Sequence, residues 1–279
     1  MKTHQEATEQ FDAVFAAADA VIAEIGTVDK KDHRGFAALL FLVRGRNAAE
    51  ATGVLLDQGF EAEANRVARM IAECAIEFAF IVCNRADEEE RRTRFLLQEH
   101  RDIFHNQVAY QALGGAGESA EAAAEAMTAL GKQRDFAETT FKYKDRFSYV
   151  NRPFKSIARR ATEVDTLCKA RGLGTTGDIG FFRLLSDLAF SDGPVGSHVG
   201  GWRLTSLVDD SRTKVGAQPP HSGLVTEVAS LALATLTKLV ALQLEMASAA
   251  AEIDIMFSRD GIPRIPALGL PPAASQTPT

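Results

Sequence analysis

The chain has 279 residues, 46% of them hydrophobic and 24% charged, with a net charge of -6. That is a globular composition with ample length to bury a core, and its acidity argues against a protein that coats nucleic acid everywhere. Three cysteines, Cys74, Cys83 and Cys168, with no CxxC spacing, give neither a disulfide framework nor a zinc site.

The first segment carries Phe11, Val14, Phe15, Ala18, Val21, Ile22 and Ile25 at spacings of three and four, one face of a helix. The polar start before it has no secretory pattern, so the expected location is cytoplasmic. A second helix is predicted from Arg34 to Asp57, with Phe36, Leu39, Leu40, Val43 and Val54 on its apolar stripe, and Gly59 marks the turn after it. A third covers Glu61 to Asn84. A fourth follows the acidic start Asp87-Glu88-Glu89-Glu90, which suits a helix N-terminus, and runs to Leu113. Helical stretches follow at 118–148, 153–170 and 178–190, then a Gly-rich loop at 191–201. Pro219-Pro220 precedes a final helix from Gly223 to Phe257, about 35 residues and roughly 50 Å long.

That last helix contains the closest approach to a membrane span, Val228 to Leu244. Lys238 lies inside it, at a cost of roughly 2.5–3.5 kcal/mol at a span centre, so a buried core helix is expected and no membrane. No segment alternates like a strand, and no repeat is visible. The predicted fold is all-α, a multi-helix bundle with a long, mostly apolar C-terminal helix. It forms one domain over 1–258, followed by a Pro/Ala-rich tail over 259–279 expected to be disordered.

The run Met70 to Cys83, MIAECAIEFAFIVC, carries only two charges, Glu73 and Glu77, four apart on one helical face. A carboxylate in an apolar helix is costly unless answered. At 100° per residue, Arg66, Arg69, Glu73 and Glu77 fall within about 80° of arc, bordered by Met70, Phe80 and Ile81. On the second helix Asn47 and Glu50 share the stripe of Phe36 and Val43, with Arg46 at its edge. The short link at Asp57 to Phe60 favours antiparallel neighbours, which brings Glu50 level with Arg69 and Arg46 level with Glu73. Arg69–Glu50 and Arg46–Glu73 are the expected pairs, and Glu77 has no nameable partner. The cluster reads as a register-fixing ion-pair network, as a pocket for a ligand, as an exposed strip, or as an oligomer interface. A raised pKa would make the two carboxylates an acid–base dyad.

The spacing Gly59-x4-Ala64-x4-Arg69-x3-Glu73 resembles the signature of a bacterial family of helical proteins known as a domain of unknown function. Phe181-Phe182-Arg183-Leu184-Leu185-Ser186-Asp187 resembles its second motif, an aromatic followed by Ser. The resemblance covers roughly 36–105 and 178–205 and implies a helical fold with no assigned activity. Relatives often carry a His soon after that Ser; here Phe190 stands in its place and the nearest histidine is His198.

Arg94-FLLQE-His100 is similar to the Arg-x4–6-His motif of HEPN ribonucleases, which are all-α, usually dimeric and metal-independent. That likeness implies Arg94 and His100 as catalytic groups. The segment 142–160 is locally basic, with Lys142, Lys144, Arg146, Arg152, Lys155, Arg159 and Arg160 among aromatics, a pattern that suits phosphates and bases. Gly172-Leu-Gly174-Thr-Thr-Gly177 follows a helix rather than a strand and is read as a loop. The loop 191–201 is read as a connector or as a lid carrying His198. No metal motif is present, since Asp102 and His105 stand alone and no Glu-x-x-His occurs, and no cofactor is expected. Ser186 lacks the GxSxG context of a nucleophile.

Three functional readings follow. The first is a binding protein for a small polar ligand or partner, using Arg46, Asn47, Glu50, Arg69, Glu73, Glu77, Ser186 and His198. The second is a HEPN-like ribonuclease acting on RNA. The third is a structural or oligomeric protein, with a homodimer as the expected assembly.

Overall fold

The structure is a computed structural model that describes residues 4–26, 32–96, 128, 132, 156–172, 180–190, 222–257, 265, 266 and 268. All regular structure among the described residues is helical. Where the sequence suggests one domain over 1–258, the chain divides into two compact units, Met1–Cys83 with Ile157–Thr279, and Asn84–Ser156. In the second unit the described helix spans 85–96. Its first turn is capped by Asn84, whose side chain accepts from the Ala86 N–H at 3.3 Å and donates to Asp87 at 2.8 Å. Arg91–Asp87 and Arg92–Glu88 pair one turn apart along it.

The first unit contains α1 (His4–Ile25), α2 (His33–Asp57), α3 (Glu61–Val82), α4 (Ile157–Ala170), α5 (Phe181–Phe190), α6 (Ser222–Gln243) and α7 (Ala247–Phe257). Helix α1 buries Ala7, Phe11, Val14, Ala18 and Val21, the face its periodicity predicts. Helix α2 starts at Asp32, whose carboxylate accepts from the N–H groups of Arg34 and Gly35 at 3.1 and 3.0 Å. It ends at Gly59, with φ +78°, where the Phe60 N–H returns to the Leu55 carbonyl at 2.8 Å.

The predicted inward stripe of α2 is corrected. Phe36 and Val54 are exposed, and the buried face is Gly35, Ala37, Ala38, Phe41, Leu42, Gly45, Ala48, Ala49 and Thr52. Small residues turn inward because they let helix axes approach closely. A Cβ on Gly45 would collide with Leu236 of α6. The facing side of α3 is equally small, with Ala64, Ala68, Ala72, Ala75 and Ala79 buried, and Phe41 of α2 meets Phe78 of α3 at 5.5 Å between ring centroids.

Helix α6 packs against α1, α2, α3, α5 and α7. It is the one described helix long and apolar enough to cross a membrane, and it lies mostly buried inside its unit. Three of its buried hydroxyls are satisfied within the helix: Ser230, Thr235 and Thr237 donate to carbonyls four residues back at 2.7–2.8 Å. The long apolar helix is thus present, but it does not run to Phe257. Glu245 takes a left-handed conformation (φ 67°), the Met246 N–H bonds to the Ala241 carbonyl at 2.8 Å, and α7 folds back on α6. Lys238, only 4% exposed, donates to Asp254 of α7 at 2.6 Å and to the Ile265 carbonyl at 2.7 Å. Arg171 donates to the Leu268 carbonyl at 2.9 Å. Ile265 and Leu268 are buried, so these residues of the expected disordered tail are packed, and the rest of 259–279 is outside the described residues.

Gly45→Val, which forces a branched side chain against Leu236, is expected to lower stability by about 1–3 kcal/mol, read as a lower midpoint in urea unfolding.

Candidate functional site

One polar strip on α3 leads from solvent into the unit. Arg66 and Met70 are exposed, Arg69, Glu73 and Glu77 are half-buried, and Phe80 and Ile81 are buried. The opposite side of α3 is committed to α2 and α6 through its alanines, Ile71 and Ile76. The strip is therefore the side that α4 and α5, the other neighbours of α3, are left to meet.

At the inner end Glu77 is ion-paired with Arg160 of α4, which is only 7% exposed. Arg160 lies on the inward face of α4 with Ala161, Val164, Asp165 and Cys168. Two expectations are corrected here. Glu77 has a protein partner, and Arg160 is buried in an ion pair instead of standing on a nucleic-acid surface. Arg159 is exposed, and Lys142, Lys144, Arg146, Arg152 and Lys155 lie outside the described residues.

Further out, Arg69 and Glu73 form no hydrogen bond or ion pair with any described residue, and the Arg69 Nε is fully buried without a partner. Neither expected pairing forms. Arg46 turns toward α1, where its Nε donates to Asp19 at 2.8 Å and its guanidinium lies 4.4 Å from the centre of the Phe15 ring. It also bonds to Glu50 of its own helix. The hydrogen bond to Asp19 is the main cause holding Arg46 protonated beyond its ordinary range. Asn47 and Glu50 are exposed. The rotation of α2 onto its small residues accounts for all three: it points Arg46 at α1 and Asn47 and Glu50 at solvent.

Helix α4 places a second charge inward. The Asp165 carboxylate accepts the N–H groups of Phe182 at 3.0 Å and Arg183 at 2.7 Å, the first turn of α5. It sits where a Cβ on Gly180 would be, so only glycine fits before this helix. Burial pushes the Asp165 carboxyl above the ordinary carboxylate value, against the lowering by these two backbone donors. Burial likewise pushes the Cys168 thiol up to about 12, with Asp165 adding to it, which makes it an inert packing group. Sequence reading missed Asp165. Its signal was its place on the face of Ala161, Val164 and Cys168.

Ser186 is buried on α5 with Phe182, Leu185 and Ala189. Arg94 lies half-buried in the 85–96 helix, and His100 and His198 are outside the described residues, as are residues 102, 105, 173–177 and 191–201 of the other sequence readings. Among the described residues no three His, Cys, Asp or Glu side chains gather as a metal set would require.

The model of a family of unknown function (DUF5677) matches residues 35–189, a range that contains Gly59–Glu73 and Phe181–Asp187. No curated protein and no solved structure matches the chain.

Glu77→Gln removes half of a pair whose other member is buried, and is expected to cost about 3 kcal/mol, measured by chemical denaturation. For Asp165 the folded-state pKa is raised, so its contribution is fully present below the unfolded value of 3.8 and is lost as pH rises through the higher folded value. The stability gap between wild type and Asp165→Asn should therefore shift in favour of the Asn variant as pH rises through that window, and titrating both unfolding midpoints from acid to neutral pH checks it.

Proposed function

We propose a ligand-binding role for this chain, which belongs to the family of unknown function DUF5677. The ligand site is the outer end of the α3 strip, at Arg69 and Glu73. The observation that carries this reading is the enclosed Arg69 Nε, with an unpartnered Glu73 one turn away on the same face. The two charged residues of the Gly59–Glu73 signature are both half-buried and both unpartnered among the described residues, with the Arg69 Nε fully enclosed. An unmet buried polar group costs about 1–3 kcal/mol. A protein that keeps such a group sacrifices stability for something other than folding.

The pair sets the chemistry of the ligand. Arg69 offers donors and takes an anionic or carbonyl oxygen; Glu73 offers acceptors and takes an ammonium or N–H group. Four residues apart on a helix, their Cβ atoms lie about 6 Å apart. A small polar molecule with an acceptor at one end and a donor at the other fits that spacing. The role of fixing helix register then belongs to Glu77 and Arg160, one turn deeper, and the ligand role to Arg69 and Glu73.

This division has a stability signature. Arg69→Met and Glu73→Gln each remove an unanswered charge, so both are expected to melt at or above the wild-type temperature, in contrast to Glu77→Gln. In thermal melts with α-amino acids as probes, a binding amino acid should raise the wild-type midpoint by several degrees at saturation and leave both variants unmoved. Destabilisation of both variants as large as that of Glu77→Gln would overturn the reading.

A further inference from the structure

Helix α2 has four sides, and the described helices cover three of them. Phe41 faces α3, Gly45 faces α6, and Arg46 and Gly53 face α1, where a Cβ on Gly53 would sit 3.6 Å from Phe11. The fourth side carries Phe36, Leu40, Val43 and Val54 within about 60° of arc. Phe36 is 37% exposed and Val54 58%, while Leu40 and Val43 are half-buried. A surface face that needed only solubility would place charges here. This one carries Phe36, Leu40 and Val43 at one end and Val54 at the other, with Asn47 between them and Arg44 and Glu50 at its edges, and an apolar seam edged by charges on a helix is what a partner helix covers.

The residue order along the seam points to the partner. The pattern is close to a palindrome about Asn47. Seven residues before it stands Leu40 and seven after it Val54; four before is Val43 and four after is Ala51; three before is Arg44 and three after is Glu50. An antiparallel second copy of α2, related by a two-fold axis at Asn47, therefore sets Leu40 against Val54, Val43 against Ala51 and Arg44 against Glu50, each twice. The Asn47 side chains meet on the axis, where an amide can both donate to and accept from its own copy. Arg44, Asn47, Glu50 and Ala51 are all exposed. Glu50 uses Oε2 for Arg46 of its own chain, and its Oε1 can serve the copy's Arg44.

We propose that this face is a self-association surface and that the chain forms a two-fold dimer through antiparallel α2–α2 packing centred on Asn47. Opposite charges meet across the axis in this orientation and in this register. A parallel partner would oppose Arg44 to Arg44 and Glu50 to Glu50 instead, which is repulsive. A single helix-on-helix seam lies at the small end of specific interfaces, below about 1,200 Å² in total, so the dimer is reversible and concentration-dependent.

Sedimentation velocity on the full chain across the micromolar range tests the association. Asn47→Cys under mild oxidation tests the axis, with wild type as control for the three native cysteines and Glu63→Cys, exposed on α3, as control for random collision. The expected result is a wild-type dimer whose dissociation constant rises at least about tenfold in Val54→Asp, with circular dichroism unchanged because Val54 is exposed. A covalent dimer is expected from Asn47→Cys and not from Glu63→Cys. A wild type that stays monomeric throughout, a dimer indifferent to Val54→Asp, or equal cross-linking at positions 47 and 63 would each overturn the proposal.

Discussion

The close approach of α2, α3 and α6 is the constraint on which the first unit depends. Gly45 permits it at one point and the alanines of α2 and α3 along its length. Axes this close gain dense packing over long helices, but small side chains bury little apolar area each, so the larger groups between them, Phe41, Phe78, Leu233 and Leu236, supply most of the hydrophobic stabilisation. The arrangement also fixes rotation. Once α2 turns its glycine and alanines inward, Arg46 faces α1, Asn47 faces solvent, and Phe36 and Val54 are left exposed.

The same constraint shapes the polar strip. Helix α3 spends one side on α2 and α6, so its remaining side is met by α4 and α5. Helix α4 answers with two buried charges of opposite sign: Arg160 meets an acid of α3, and Asp165 meets the positive end of α5. Each charge satisfies a specific neighbour, so α4 fits in one rotation and one height. A slide by one turn would bury Arg160 and Asp165 without partners, a far larger penalty than the packing could offset. Arg69 and Glu73, one turn farther out than Glu77, stand apart from this network.

Much of the fold is legible in the sequence. The helical class, the inward face of α1, the Gly59 end of α2, and the burial of the apolar helix around Lys238 all follow from periodicity, turn chemistry and charge. Two features are hidden for physical reasons. Bulk misleads on α2, where large apolar residues lie on one stripe and small ones on another, and close packing favours the small. The break at Glu245 carries no glycine to announce it, although its hydrogen bonds are those that Gly59 makes. At the candidate site, the strip on α3 was readable because its residues share one helix. The partner of Glu77 was not, since it comes from 83 residues away and no local pattern links the two. The burial of Lys238 was expected, but the residues that satisfy it, Asp254 and the Ile265 carbonyl, emerge only from the turn at Glu245 and from a segment read as a tail.

Those last contacts set an order of events during synthesis. Helix α1 is made before the other helices of its unit, yet its apolar side is covered chiefly by α6, about 200 residues later. At ribosomal speeds of about 5–20 residues per second, Phe11, Val14 and Val21 wait on the order of ten seconds or more for that cover. Closure comes later still, when Ile265 and Leu268 leave the exit tunnel and offer their carbonyls to Lys238 and Arg171. The unit is thus fastened by a segment made after all its described helices, and a nascent chain stopped short of residue 265 holds two cationic side chains with bonds still to make.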